Sequence, residues 1–268
     1  MAARETILMF DSGLGGLTVF REVVAVRPQS DYIYVADDAG FPYGAMPEST
    51  LVSRVVALMG DLIGAHRPDL VVIPCNTAST IVLPALRESF SVPFVGTVPA
   101  IKPACAASVT KRVSVLGTEA TVAREYTRAL IRDYAGDCRV TLVGSKSLAS
   151  HAEAALRGGT VSDGQISAEL APCFVDDGQR TDTVVLACTH YPLLIERLRA
   201  LSPWPVNFVD PAPAIARRVS ALLGPAPQHT SRGTARAIFT SGRAPTAALA
   251  RFDIEAVAPM RAPATQAG

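Results

Sequence analysis

The stretch DLVVIPCNTAS (69–79) sets a cysteine at the end of an apolar run, just before Asn and Thr. LVVI is too short for a helix, is rich in β-branched residues and is closed by Pro, so it reads as a buried strand with a thiol at its exit. DTVVLACTHYP (182–192) says nearly the same thing again. Further short apolar runs end in turn or polar residues: TILMF (6–10), DYIYVAD (31–37), VPFVGTV (92–98), KRVSVLGT (111–118), CRVTLVG (138–144), VNFVD (206–210) and ARAIFTSG (235–242). Between them, LVSRVVALMGDLIGAH (51–66) carries apolar residues at 51, 55, 58, 59, 62 and 63, the spacing of one helical face. TVAREYTRALIRDY (121–134) and PAIARRVSALLG (213–224) also read as helices. Strand–helix alternation of this kind predicts an α/β fold with a mostly parallel sheet covered by helices.

The halves echo each other. TILMFDSGLGGLTV and RVSVLGTEATV share a layout of apolar strand, polar or Gly turn and helix start, and the two cysteine motifs match more closely still. A protein of two matching halves is the simplest account. The last eight residues, RAPATQAG, hold no apolar side chain larger than Ala and are expected to fray.

Of 268 residues, 49% are hydrophobic but only 6% aromatic, so the core is mainly aliphatic. No window approaches the roughly 18 uninterrupted apolar residues of a membrane span, and the first residues lack a cleavable secretion signal. A net charge of +1 with scattered Lys and Arg does not point to nucleic acid or an anionic membrane. The five cysteines (Cys75, Cys105, Cys138, Cys173, Cys188) include no C-x-x-C, which argues against structural zinc or a dithiol redox pair. Free thiols and a cytoplasmic setting are expected. His66, His151 and His229 lack metal-ligand spacing and read as surface residues.

Ligands of open parallel sheets bind beyond the carboxyl ends of the strands, where Cys75 and Cys188 both fall. Asn76-Thr77 and Thr189-His190 are positioned to cap a following helix, whose amides would attract a carboxylate and lower a thiol pKa from roughly 8.5 towards neutrality. Two thiols on opposite sides of one cleft suit inversion of a stereocentre bearing an acidic C–H. One thiolate removes a proton from one face, the other thiol returns one to the opposite face, and no metal or electron-sink cofactor is obligatory.

FDSGLGGLTV (10–19), PYG (42–44), CNTAS (75–79), LGTEAT (116–121) and CTHYP (188–192), in this order, closely resemble the glutamate racemases of bacterial cell-wall synthesis. The resemblance runs from about residue 7 to 218. It implies two pseudo-symmetric parallel-sheet α/β domains, 1–97 plus 210–268 and 98–209, with the active site in the cleft between them. It further implies a cofactor-independent enzyme that supplies D-glutamate for peptidoglycan. Carried over by motif, Cys75 is the base for D-glutamate and Cys188 the base for L-glutamate, with Asp11 assisting near Cys75 and His190 near Cys188. Ser12, Tyr43, Gly44, Asn76, Thr77, Thr118, Thr121 and Thr189, together with Asp11 and His190, would hold the substrate. A homodimer is common among such relatives.

The chain departs from the family pattern at SKSLASHAE (145–153), where SLASHA replaces an apolar stretch; this counts against a role for Glu153 and leaves His151 unassigned. Only nine residues precede FDSG, whereas members that need a cell-wall precursor as activator carry a longer extension, so no such dependence is expected. Asp11 could instead simply cap the helix beginning near Leu14. The glycines of DSGLGG do not follow the G-x-G-x-x-G of a dinucleotide loop. The rival readings are a racemase of aspartate or a hydantoin, a binding protein (some relatives inhibit DNA gyrase) and a cysteine hydrolase, which would need one thiol rather than two.

Overall fold

The computed structural model describes residues 4–226 and 231–257; His229 and the RAPATQAG tail lie outside them. Ten strands are present: β1 (Thr6–Asp11), β2 (Asp31–Ala36), β3 (Leu70–Val72), β4 (Phe94–Val95), β5 (Arg112–Thr118), β6 (Arg139–Ser145), β7 (Thr183–Ala187), β8 (Asn207–Val209), β9 (Ala235–Phe239) and β10 (Glu255–Ala256). They form two sheets, ordered β10-β9-β2-β1-β3-β4 and β6-β5-β7-β8, and every pairing within them is parallel. The nine runs read from the sequence each contain a strand; β10, two residues long, was not anticipated.

The repeat is visible in the strand order. β3-β1-β2 in the first sheet corresponds to β7-β5-β6 in the second, with β1 and β5 central. In each sheet the chain passes from the central strand to one neighbour and then crosses to the other, which makes the gap beside β1 and β5 a switch point. DSGLGG leaves β1 and CNTAS follows β3, so both meet at the first switch point; LGTEAT and CTHYP meet at the second.

Each sheet is packed on both faces. Met9, Phe20 and Val219 belong to one cluster on the first sheet, and Phe10, Met59 and Val82 to another. The second sheet buries Leu186 with Leu170 on one side and Val185 with Ile101 on the other. Parallel sheets covered on both faces explain why the strands read as continuous apolar runs rather than alternating ones. Among the described residues no helix is long and apolar enough to cross a membrane.

Two helices differ from expectation. The stretch 121–134 forms Glu119–Ala123 and Glu125–Tyr134, separated by extended backbone at Arg124. Thr127 Oγ1 donates to the Thr121 carbonyl at 2.7 Å, occupying the acceptor a continuous helix would offer to residue 125. The first helix begins at Leu17, not near Leu14, because residues 12–16 wrap around the Asp11 carboxylate.

Candidate active site

Cys75 terminates the β3 segment and is itself the N-cap of the helix Asn76–Ser89, its sulfur accepting from the Ala78 amide at 3.5 Å. Ser12 Oγ lies 3.7 Å away. The expected acidification does not follow. Burial, aided by the negative charges of Asp11 and Cys188, pushes the Cys75 thiol up to about 12, against the smaller pull of the Ala78 amide and Ser12 hydroxyl. Nor do the neighbours cap as expected: Asn76 and Thr77 are the first helical residues. Both polar atoms of the buried Asn76 amide lack a hydrogen-bond partner among the described residues.

The second motif differs from the first in backbone. Thr189 and His190 lead into the short 3-10 turn Tyr191–Leu194, without a side-chain cap, so no α-helix N-terminus abuts Cys188. Its company is His190, whose Nδ1 lies 3.9 Å from Cys188 Sγ. His190 Nε2 is 2.9 Å from Glu153 Oε2, which also accepts from the Leu14 amide at 3.0 Å. The carboxylate therefore accepts a hydrogen bond from Nε2–H. Burial disfavours the imidazolium, but Cys188, Glu153 and Asp11 outweigh it and raise the His190 pKa to about 10. Burial likewise acts to raise Glu153, and the bonds from His190 and Leu14, with Arg157 nearby, bring it below the usual range. Glu153, discounted from the sequence, thus touches His190 directly. The loss of local apolar pattern in SLASHA did not matter, because Leu148 and Ala152 supply the buried face of its helix.

A cleft between the sheets gathers Ser12, Tyr43, Gly44, Cys75, Asn76, Thr77, Thr118, Cys188, Thr189 and His190. Asp11 and Thr121 stand behind its wall. Asp11 accepts from the Gly16 amide at 3.0 Å and the Gly13 amide at 3.4 Å, both in the loop before the helix, which starts at Leu17 without a side-chain cap, while Thr189 Oγ1 lies 3.5 Å from its other oxygen. Burial raises the Asp11 pKa, with His190 and the two amides opposing. Thr121 Oγ1 links Thr118 at 2.9 Å and Thr77 at 3.4 Å, a hydroxyl row running from one sheet to the other. The Tyr43 hydroxyl is turned away to buried Asp37 at 2.6 Å, which Arg54 and Thr240 also hold. Sequence reasoning missed Asp37 and Phe41, whose ring centroid lies 5.2 Å from that of His190. Asp37 ends its strand run just as Asp11 does, and that was the available signal. His66 and His151 are half-buried helix residues rather than surface ones, and Cys105, Cys138 and Cys173 do not line the cleft. Among the described residues, no group of three or more His, Cys, Asp or Glu could hold a metal ion.

The cavity measures about 30 Å³, room for about two waters at the roughly 10–15 Å³ that each requires.

Residues 17–219 match the model of the Asp/Glu/Hydantoin racemase family. The chain belongs to that family. Glutamate racemase of Brucella canis is 54% identical over 225 residues, covering 83% of this chain and 81% of that protein. Glutamate racemase of Sinorhizobium fredii is 54% identical over 241 residues, 88% and 90% of the two chains. Escherichia coli glutamate racemase, solved with L-glutamate and the activator UDP-MurNAc-ala, superposes with a TM-score of 0.87 at 40% identity, covering 96% of this chain and all of that one.

Membership in the Asp/Glu/Hydantoin racemase family agrees with the cleft as built: two buried thiols follow equivalent strands of matching sheets. The DSGLGG glycines are explained by that packing. A Cβ on Gly15 would lie 2.5 Å from both His190 Nδ1 and Thr189 Oγ1, so the loop after β1 passes against the CTHYP segment only because it lacks side chains there.

Proposed function

We propose that the chain interconverts L- and D-glutamate by proton transfer between Cα and two thiols, Cys75 and Cys188. The single observation carrying this reading is the pair of buried cysteines at the ends of β3 and β7, facing one cleft. In the L-to-D direction the Cys188 thiolate removes the Cα proton and the Cys75 thiol delivers its proton to the opposite face. The roles reverse for D-glutamate. His190, held protonated by Glu153, places an N–H and a positive charge beside Cys188. Asp11 orders the loop carrying Ser12, which contacts Cys75. Asn76, with its unpartnered buried amide, and the hydroxyls of Thr77, Thr118 and Thr189 bind the charged ends of the substrate, with Thr121 bracing Thr118 and Thr77 from behind and Gly44 and the Tyr43 segment at the opposite rim.

The units that close on the substrate are 1–97 plus 210–268 and 98–209. The return of β9 to pair with β2 supports that division. A cytoplasmic enzyme supplying D-glutamate for peptidoglycan is the corresponding role.

The test is incubation with L-glutamate, and separately L-aspartate, in D2O without added cofactor. Racemisation of glutamate with deuterium appearing at Cα is expected; absence of exchange from either enantiomer refutes the reading, and exchange of aspartate alone transfers it to that substrate. Cys75→Ser and Cys188→Ser should each nearly abolish turnover while preserving the fold, and a near-normal rate in either removes the two-thiol mechanism.

A further inference from the structure

The line of charged contacts does not stop at Glu153. Its Oε1 accepts from Arg157 Nε at 3.0 Å and lies 2.9 Å from Nη2. The two residues are four apart at the end of the helix Leu148–Leu156, where i and i+4 side chains meet on one face. Arg157 Nη2 also lies 3.9 Å from Asp38 Oδ2, a carboxylate that follows β2 in the other sheet unit. Asp38 is fixed in turn by Ser241, whose amide donates at 2.9 Å and hydroxyl at 2.5 Å, just beyond β9. Arg157 does not line the cleft and is one-third exposed, so its part is played through other residues.

Both donors on Glu153 Oε2, the Leu14 amide and His190, approach the same oxygen. The carboxylate plane is therefore set by what holds Oε1, and Arg157 alone is bonded there among the described residues. We propose that Arg157 is a positioning residue. It orients Glu153, and through it His190, for the proton transfer at Cys188, and its anchor on Asp38 makes that alignment complete only when the two sheet units are closed. This rests on the two-thiol reading above.

Racemisation interconverts mirror images, so kcat/KM must change equally in both directions and cannot report a defect at one thiol. Primary isotope effects can. Wild type, Arg157→Ala, Arg157→Lys and Asp38→Asn are to be compared using α-deuterated L- and D-glutamate, with thermal unfolding alongside. Misalignment of about 1 Å at a reacting group costs about 100-fold, and a kcat loss approaching that size is expected in Arg157→Ala, with KM changing less. The isotope effect should rise with L-glutamate, whose proton goes to Cys188, more than with D-glutamate. Arg157→Lys should recover most of the rate, and Asp38→Asn should shift both readouts the same way by a smaller factor. Near wild-type kcat in Arg157→Ala, or isotope effects that rise equally for both enantiomers, overturns the proposal. If Arg157→Ala does not fold, an unchanged isotope effect in Asp38→Asn overturns it instead. Wild-type protein inactive on glutamate refutes the functional reading itself, a distinct result.

Discussion

Gly15→Ala probes directly how the two halves fit. The added Cβ would stand 2.5 Å from His190 Nδ1, 2.5 Å from Thr189 Oγ1 and 2.8 Å from His190 Cε1. Ordinary van der Waals contact begins near 3.4 Å. His190 cannot simply rotate aside, because Glu153 holds its Nε2 and Phe41 lies against its ring. Either the imidazole or the loop must give by about 1 Å, and a displacement of that size at a reacting group costs about 100-fold in rate, equivalent to ~2.7 kcal/mol of barrier. Overpacking adds about 1–3 kcal/mol of destabilisation, which for a chain of this size lowers Tm by about 2–4 °C per kcal/mol. The assay is the initial rate from each enantiomer, resolved by chiral chromatography, alongside thermal unfolding. Gly64→Ala is the control: a Cβ there meets nothing within 4 Å in the last turn of the helix Glu48–His66, and it should leave the rate alone while stabilising by no more than about 0.5–1 kcal/mol. Gly13→Ala, at 3.1 Å from Glu153 Oε2 and 3.2 Å from His190 Nε2, should fall between. A Gly15→Ala enzyme with wild-type rate and wild-type Tm would refute the packing argument.

Three other outcomes follow from the site. With Cys75 pushed up to about 12, its alkylation by iodoacetamide in the unliganded protein should climb steadily with pH without levelling off near neutrality, as read by mass spectrometry of its peptide; an early plateau contradicts this. The His190 pKa is raised above 6.5 to about 10, so its contribution to stability is whole below pH 6.5 and is lost as pH rises through about 10. Glu153 is lowered, so its contribution is present above 4.5 and is lost as pH falls through its folded value. Denaturant midpoints across pH should therefore fall at both ends, and His190→Asn should flatten the alkaline limb; an unchanged limb would place its origin elsewhere. Asp37→Asn removes the charged acceptor of Tyr43 and the partner of Arg54, and should cost about 1–3 kcal/mol and raise KM more than it lowers kcat; an unchanged KM would separate Tyr43 from substrate binding.

The parts of this molecule legible in its sequence are those fixed by local pattern. Strands buried on both faces announce themselves as LVVI or TVVLA, and their polar exits mark where ligands bind. β10 left no trace because two residues, Glu255 and Ala256, carry no period. The break at Arg124 was hidden because it depends on the Thr127 hydroxyl reaching back to Thr121, a tertiary detail written in no periodicity. Glu153 was discounted for the same kind of reason. The departure of SLASHA from the family pattern counted against it, while its partners, Leu14 and His190, are distant in sequence and leave no local signal. The thiol acidity failed differently: a helix amide is visible from the sequence, but full burial, which outweighs it, is a property of the closed fold.

That imbalance bears on how two like groups come to play unlike parts. Two thiols can act as base and acid in one turnover only if one is ionised while the other is not. A negative charge on either opposes ionisation of the other, as the effect of Cys188 on Cys75 illustrates. The surroundings then break the symmetry: Asp11 lies on the Cys75 side, and protonated His190 lies against Cys188. In the unliganded cleft Cys75 therefore keeps its proton, as the L-to-D direction requires. Starting from D-glutamate requires the opposite distribution, so the free enzyme must move one proton between its thiols for each direction to proceed. At high substrate concentration that return step would compete with binding. Tracer perturbation, in which labelled glutamate already equilibrated between its enantiomers is followed while excess unlabelled D-glutamate relaxes towards equilibrium, should then drive label transiently away from its equilibrium distribution. A tracer that stays at equilibrium throughout would mean that the two protonation states exchange faster than either binds substrate.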